Sequence, residues 1–239
     1  MRRVGILGGM GPEATVLILQ KLLAAVLAQD DADHIPVIVD QNPQVPSRIR
    51  HLLEGSGPDP APVLAEMARR LVAGGAEALA MPCNTAHHYA PAIRAAVTVP
   101  FLDMIALSVR HARALVPQGQ SAIGILASPA VQKVGLFDAA LAKAGLTAFY
   151  PSTPEAMLAA IRQIKAQGPS AAARQALRDA SQELRARGAL VQMIACTEFS
   201  LIAEAVATDI VAFDTLDLLV TAIVKFAQTN GAEEEQAAS

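Results

Sequence analysis

The chain of 239 residues has no tryptophan, two tyrosines and six phenylalanines, and its basic residues are scattered rather than clustered. With a net charge of −3 and few rings for bases to stack on, it lacks the footprint of a nucleic-acid-binding protein. It also lacks a membrane span. Apolar residues make up 53% and charged residues 17%, yet the longest apolar runs, such as Leu218–Val224, fall well short of the ~18 residues a span requires. Met1-Arg2-Arg3 passes directly into the strand-like Val4-Gly5-Ile6 without a long apolar leader, so a cytoplasmic protein is expected. The most informative scarcity is cysteine, present only as Cys83 and Cys196. A reducing compartment disfavours a structural disulfide between them, so two free thiols need another explanation.

What is present is a regular alternation of short β-branched runs with Ala/Leu-rich helical stretches, the pattern of βαβ units and a parallel sheet. Strands are expected at Val4–Leu7, Val37–Asp40, Ala78–Met81, Ala122–Leu126, Ala148–Tyr150 and Val191–Ile194. Helices are expected after Gly11-Pro12, after Asp59-Pro60, near Thr85, after Pro129, after Pro154 and from Ser170. Proline suits a first helical turn because the donor it lacks would be unpaired there. The proline- and glycine-rich segment Gln41–Pro58 reads as one long irregular loop and a lid. The polar, acidic tail Gly231–Ser239 is expected to fray.

An internal repeat underlies the alternation. Val4-Gly5-Ile6-Leu7-Gly8 is echoed by Ile123-Gly124-Ile125-Leu126-Ala127. Gly75-Ala76 leads through a strand to Cys83 eight residues after the glycine, and Gly188-Ala189 leads to Cys196 at the same spacing. Gly5 to Cys83 spans 78 residues and Gly124 to Cys196 spans 72. The two thiols therefore occupy matching places in two related α/β halves.

Each cysteine follows an apolar strand and precedes a helix, at the carboxyl edge where open parallel sheets bind ligands. A helix N-terminus lowers a thiol's pKa, and an ordinary thiol at ~8.5 already lies near neutrality, so modest tuning makes it a usable base. Two halves facing across a cleft would present one thiol to each side of a bound carbon. One thiolate could take the α-proton while the opposite thiol delivers a proton to the other face.

Gly5-Ile6-Leu7-Gly8-Gly9-Met10-Gly11-Pro12-Glu13-Ala14-Thr15, Met81-Pro82-Cys83-Asn84-Thr85-Ala86-His87 and Cys196-Thr197-Glu198 resemble the aspartate/glutamate racemase family, particularly its aspartate racemase branch. The resemblance runs from residue 4 to about Phe213-Asp214-Thr215. It implies a fold of two pseudo-symmetric three-layer α/β/α domains with mainly parallel sheets and an active site in the cleft between them. It implies residues 1–103 plus 210–239 for the first domain and 104–209 for the second. It implies amino-acid racemisation without pyridoxal phosphate or another cofactor, no metal, and Cys83 and Cys196 as the acid/base pair. Asn84, Thr85 and Thr197 would bind the α-carboxylate and amine, and Met10 would floor the site. Arg48 and Lys165 would face the side-chain carboxylate, a role suited to a guanidinium fork and a second charge. Ser128 and Glu198 complete the implied substrate contacts, and a homodimer is implied as the assembly. The expected partner is a small amino-acid substrate, aspartate or glutamate, with neither nucleic acid nor membrane.

The sequence departs from that branch after the second-half strand, where Ser128-Pro129-Ala130-Val131 stands for the usual Thr-X-Gly-Thr and Val134 and Phe137 stand for a usual Ser and Tyr, so that three hydroxyl positions are apolar. A pocket for a longer or less polar substrate is the corresponding expectation. Two rival readings stand beside the racemase. Gly9-Met10-Gly11-Pro12-Glu13-Ala14 fits a G-x-G-x-x-A dinucleotide fingerprint, as in a NAD-dependent oxidoreductase, although Asp40 lies about 30 residues on rather than ~20. A non-catalytic small-ligand binding protein of two α/β lobes is the other. His87, four residues after Cys83, could pair with it as a nucleophile or simply pack. His34, His51 and His111 carry no motif, and Cys83, His87, His88 and Cys196 do not match a zinc spacing.

Overall fold

The computed structural model describes residues 1–229, so the tail Gly231–Ser239 lies outside the described residues. Among the described residues eight strands form two sheets. Strands β1 (Val4–Gly8), β2 (Val37–Gln41), β3 (Ala78–Ala80) and β4 (Phe101–Leu102) lie in the order β2-β1-β3-β4. Strands β5 (Ala122–Ala127), β6 (Thr147–Phe149), β7 (Val191–Ala195) and β8 (Val211–Asp214) lie in the order β6-β5-β7-β8. Every pairing is parallel. The two sheets thus have the same topology, and the repeated Gly-containing strands, β1 and β5, occupy the same inner position in each.

The helices are α1 (Pro12–Ala24), α2 (Arg48–Leu52), α3 (Ala61–Ala73), α4 (Ala90–Ala96), α5 (Met104–Leu115), α6 (Pro129–Lys133), α7 (Asp138–Lys143), α8 (Pro154–Gln167), α9 (Ala171–Ala186), α10 (Thr197–Ser200) and α11 (Thr215–Gln228). They cover both faces of each sheet, because strands buried on both sides must be met by an apolar helix face on each. In the first half, Val4 and Ile6 of β1 pack with Ile18, Leu219 and Ile223, while Leu7 and Leu79 pack with Leu64, Met67 and Leu71. In the second half, Ile123 and Ile125 pack with Val109 and Leu141, while Leu126 and Ile194 pack with Ile161, Leu177 and Leu184. No helix among the described residues is long and apolar enough to cross a membrane.

The repeated glycine has a packing reason. A Cβ on Gly5 would come within 2.9 Å of the Ala76 Cβ and 3.1 Å of the Leu71 Cβ. A Cβ on Gly124 would come within 3.1 Å of Leu184 on the matching helix. Each glycine lets a helix approach its sheet closely, and overpacking such a contact costs about 1–3 kcal/mol.

The chain crosses between the halves twice, and the crossings refine the expected division. Met104 at the start of α5 packs in the first core, while Ile105, Val109 and Ala112 pack in the second. At the far end, Val211–Asp214 pairs with β7 in the second sheet, whereas α11 packs on the first. The last strand therefore belongs with the second sheet, and only the helix returns to the first. Helices α5 and α11 lie against each other between the two sheets. The lid segment also differs from expectation. It is not wholly irregular, because Ser47 caps a short helix by accepting a hydrogen bond from the Arg50 N–H at 3.3 Å.

Candidate active site

A cavity of about 710 Å³ opens where the carboxyl ends of the two sheets face each other. Both thiols line it, with Met10, Arg48, Thr85, Ser128, Lys165 and Glu198. Its floor is the turn after β1. Gly9 has φ of 89°, and a Cβ there would sit 2.3 Å from the Asn42 carbonyl carbon, so only glycine allows this approach. The Thr15 hydroxyl accepts the Gly9 N–H at 2.9 Å and ties the turn to α1. Met10 on this turn is 3% exposed.

Cys83 and Cys196 are both free and nearly buried, at 7% and 6% exposure. Their surroundings differ. After Cys83 the chain enters a 3₁₀ turn, Thr85–Tyr89, before α4 begins. His87 in that turn is buried, and its Nδ1 lies 2.9 Å from the Cys83 carbonyl. Its Nε2 accepts the Met104 N–H at 3.2 Å, which makes Nδ1 the protonated nitrogen and the donor to that carbonyl. Burial pushes the His87 pKa down, with the Cys83 carbonyl opposing. Both ring nitrogens are engaged with backbone, so a Cys–His nucleophile pair is not what this histidine makes.

Cys196 meets a carboxylate. Its Sγ donates to Glu198 Oε2 at 3.0 Å, and Glu198 Oε1 is ion-paired with Lys165 Nζ. Burial drives the Cys196 pKa well above the ordinary thiol value, and the charge and hydrogen bond of Glu198 add to this. The helix N-terminus was expected to favour thiolate, but α10 is four residues long and its effect is outweighed. Burial alone would lower the Lys165 pKa, but Glu198 reverses this and holds the ammonium charged.

Arg48 extends from the start of α2. Its Nη1 donates to the carbonyls of Pro46 at 3.1 Å and Val45 at 3.4 Å, and its buried Nε has no partner. Among the described residues no carboxylate lies within ion-pair distance of it. Thr85 and Ser128 approach across the cleft, their hydroxyl oxygens 3.2 Å apart.

Two expected contacts lie behind the cavity wall rather than on it. Asn84 and Thr197 are each 2% exposed and do not line the cavity. Asn84 Nδ2 donates to the Thr215 hydroxyl at 3.0 Å, leaving its buried Oδ1 without a partner. The segment expected to alter the pocket does so only at Ser128. Phe137 is fully buried in the second core, and neither it nor Val134 lines the cavity. The loss of hydroxyls there follows from packing, not from the ligand space.

Helix α8 supplies lining residues that were not foreseen, Leu158, Ile161 and Arg162. They share a helical face with Lys165 at spacings of seven, four and three, and that periodicity was the available signal. Arg162 also pairs with Glu54 at 3.0 Å, and Lys133 Nζ donates to the Leu53 carbonyl at 2.9 Å. The segment Gln41–Pro58, part of the first half, is thereby bonded to the second. Asp40, the acidic residue of the dinucleotide reading, is instead gripped by Arg70 Nη2 at 2.6 Å and Nε at 3.1 Å.

Two α/β halves of one topology, each delivering a buried thiol to a shared cleft, form the candidate active site. Residues 7–223 match the model of the Asp/Glu/hydantoin racemase family, and the chain belongs to that family. Aspartate racemase from Picrophilus torridus superposes with a TM-score of 0.84 at 25% identity, over 96% of each chain. An aspartate racemase homologue from Pyrococcus horikoshii superposes at 0.74 with 19% identity, over 96% of this chain and all of the other. Glutamate racemase from Francisella tularensis, solved with D-glutamate, superposes at 0.65 with 16% identity, over 94% and 80%. Family and neighbours together support an amino-acid racemase.

Proposed function

We propose that the chain is a cofactor-independent racemase of acidic amino acids, with aspartate the first substrate and glutamate the second. The observation that carries this reading is the pair of buried free thiols that line one cavity from equivalent strand ends. In one direction the Cys83 thiolate takes the α-proton, leaving the electron pair on the α-carbon, and the Cys196 thiol protonates the opposite face. In the other direction the roles exchange, and Glu198 accepts the proton that Cys196 must release before it can act as base. The raised Cys196 pKa suits the acid role at neutral pH.

The charges of the cavity support a dicarboxylate. Lys165 is neutralised by Glu198, whereas Arg48 keeps its charge unpaired and can fork onto the side-chain carboxylate. The hydroxyls of Thr85 and Ser128 are placed to donate to its α-carboxylate.

Incubating purified protein with L-aspartate in D₂O, with no added cofactor, is the direct test. The expected result is D-aspartate carrying deuterium at the α-carbon. Inversion that survives in a Cys83→Ala or Cys196→Ala variant would overturn the two-thiol reading. Inertness toward both aspartate and glutamate would overturn the substrate.

A further inference from the structure

The dipeptide Asp214-Thr215 stands where the chain leaves the second sheet and returns to the first, and it bonds to both thiol turns. Thr215 Oγ1 donates to the Ile194 carbonyl at 3.0 Å, two residues before Cys196. The same oxygen accepts from Nδ2 of Asn84, the residue after Cys83, at 3.0 Å. Asp214 Oδ1 accepts from the Ser200 hydroxyl at 2.9 Å, at the end of the short helix that Cys196 opens. It also accepts from the Leu216 N–H at 2.8 Å, which caps α11.

These groups are shut off from water: Thr215 is 0%, Asn84 2%, Asp214 6% and Ser200 8% exposed. A hydroxyl has one proton, and here it goes to Ile194. Asn84 must therefore present its amide as donor, so the network has one arrangement. Such a network specifies geometry because any shift of either turn leaves a buried polar group unpaired.

We propose that Asp214 and Thr215 are positioning residues that fix the separation of the two thiols, Thr215 bonding toward both turns and Asp214 to the Cys196 turn. The inference rests on the two-thiol reading. Inversion needs both sulfurs poised on opposite faces of one carbon at once, and a displacement of ~1 Å can cost ~10²-fold in such an arrangement. When the span relaxes, a carbanion formed by the first thiol waits for its donor. The first thiol then has time to exchange with solvent and to return a deuteron to the original face.

The test is early-time reaction of L-aspartate in D₂O, with chiral separation and mass measurement of α-deuterium in recovered L and newly formed D. The variants are Thr215→Val, which keeps the shape without the hydroxyl, Thr215→Ser, which restores it, and the milder Ser200→Ala. Wild type is expected to carry its label in the inverted product. Thr215→Val is expected to slow inversion ~10- to 100-fold and to raise the ratio of label in L to label in D at least ~5-fold. Thr215→Ser should restore the ratio, and Ser200→Ala should raise it less. The ratio is independent of how much enzyme is folded. Slower inversion with an unchanged ratio in both Thr215→Val and Ser200→Ala would therefore overturn the positioning role. Wild type that neither exchanges nor inverts aspartate or glutamate would instead overturn the two-thiol reading, and this proposal with it.

Discussion

The two thiol turns share a scaffold and differ in chemistry. Each follows the equivalent strand of an identical sheet order, and each sulfur reaches the same cavity. Cys83 is held through its backbone by a neutral histidine and is followed by an amide and a hydroxyl. Cys196 is held through its sulfur by Glu198, which Lys165 balances. A duplicated fold thus places two like groups symmetrically, while the side chains two residues on, Thr85 and Glu198, assign them unlike environments. The difference suits the proposed reaction, in which the two faces need an acid and a base at the same moment.

The largest effect should ignore the difference. If each thiol serves one face, Cys83→Ala and Cys196→Ala should each lower racemisation by about 10³-fold or more, within or above the usual span for a lost acid/base group. Steady-state rates in both directions check this. A variant that keeps one direction intact would mean that the halves are not a pair.

Next comes Glu198→Gln, which acts on one turn alone. Glu198 holds the Cys196 pKa up, so removing its charge lets that pKa fall, and the freed Lys165 pulls it further the same way. In the direction that uses Cys196 as acid, activity is lost as pH rises through its pKa. The alkaline limb of kcat/KM should therefore move to lower pH, with a fall in kcat of about 10²-fold at neutral pH. An unmoved limb would break the contrast drawn between the turns.

The shared scaffold was largely legible in the sequence, for a physical reason, and the contrast was not. Strands such as Val4–Gly8 and Val191–Ala195 stand out because a strand buried on both faces is nearly all apolar, the exception being Gln192, whose side chain bonds to Ser181. Two others carry little signal. Phe101–Leu102 is two residues long, and Val211–Asp214 starts with two exposed residues at a sheet edge. The thiols were legible from the repeat, because equal spacing from a glycine turn is a linear property. The ion pair of Arg162 with Glu54 and the network around Thr215 join residues more than 100 positions apart, which no local pattern encodes. The tuning of Cys196 differs from expectation because burial, and after it the carboxylate two residues on, outweighs the short helix.

A smaller effect separates the anchors of the two turns. Thr215, which bonds toward both turns, does not titrate, whereas Asp214, bonded only on the Cys196 side, does. Burial pushes the Asp214 pKa from 3.8 up to about 6, against the hydrogen bonds from Leu216 and Ser200. Its folded pKa exceeds its unfolded one, so its contribution to stability is full below about pH 4 and is lost as pH rises through about 6. Asp214→Asn keeps the accepting oxygen but not the titration. Between pH 4.5 and 7.5 the stability of wild type relative to Asp214→Asn should fall by about 1–2 kcal/mol. That figure allows for the start of α11, which favours an anion. Urea unfolding at the two pH values measures it, and parallel pH profiles for the two proteins would remove the distinction between the anchors.

The smallest effect concerns the segment Gln41–Pro58, expected to act as a lid, which belongs to one half and is bonded to the other. Arg162 and Glu54 are 60% and 42% exposed, so water and salt screen them strongly, and such pairs contribute about 0–1 kcal/mol. Lys133 adds one hydrogen bond to a backbone carbonyl at the surface. Glu54→Gln with Lys133→Met should therefore raise KM no more than about threefold at low salt, with kcat unchanged, and the difference should vanish in about 1 M salt. Salt dependence of KM in wild type and variant is the measurement. A fall in kcat, or a KM effect that persists in high salt, would mean that the lid helps to set the geometry of Arg48 rather than merely closing over it. The second half would then position the substrate through the first, and the division of labour between the two would have to be redrawn.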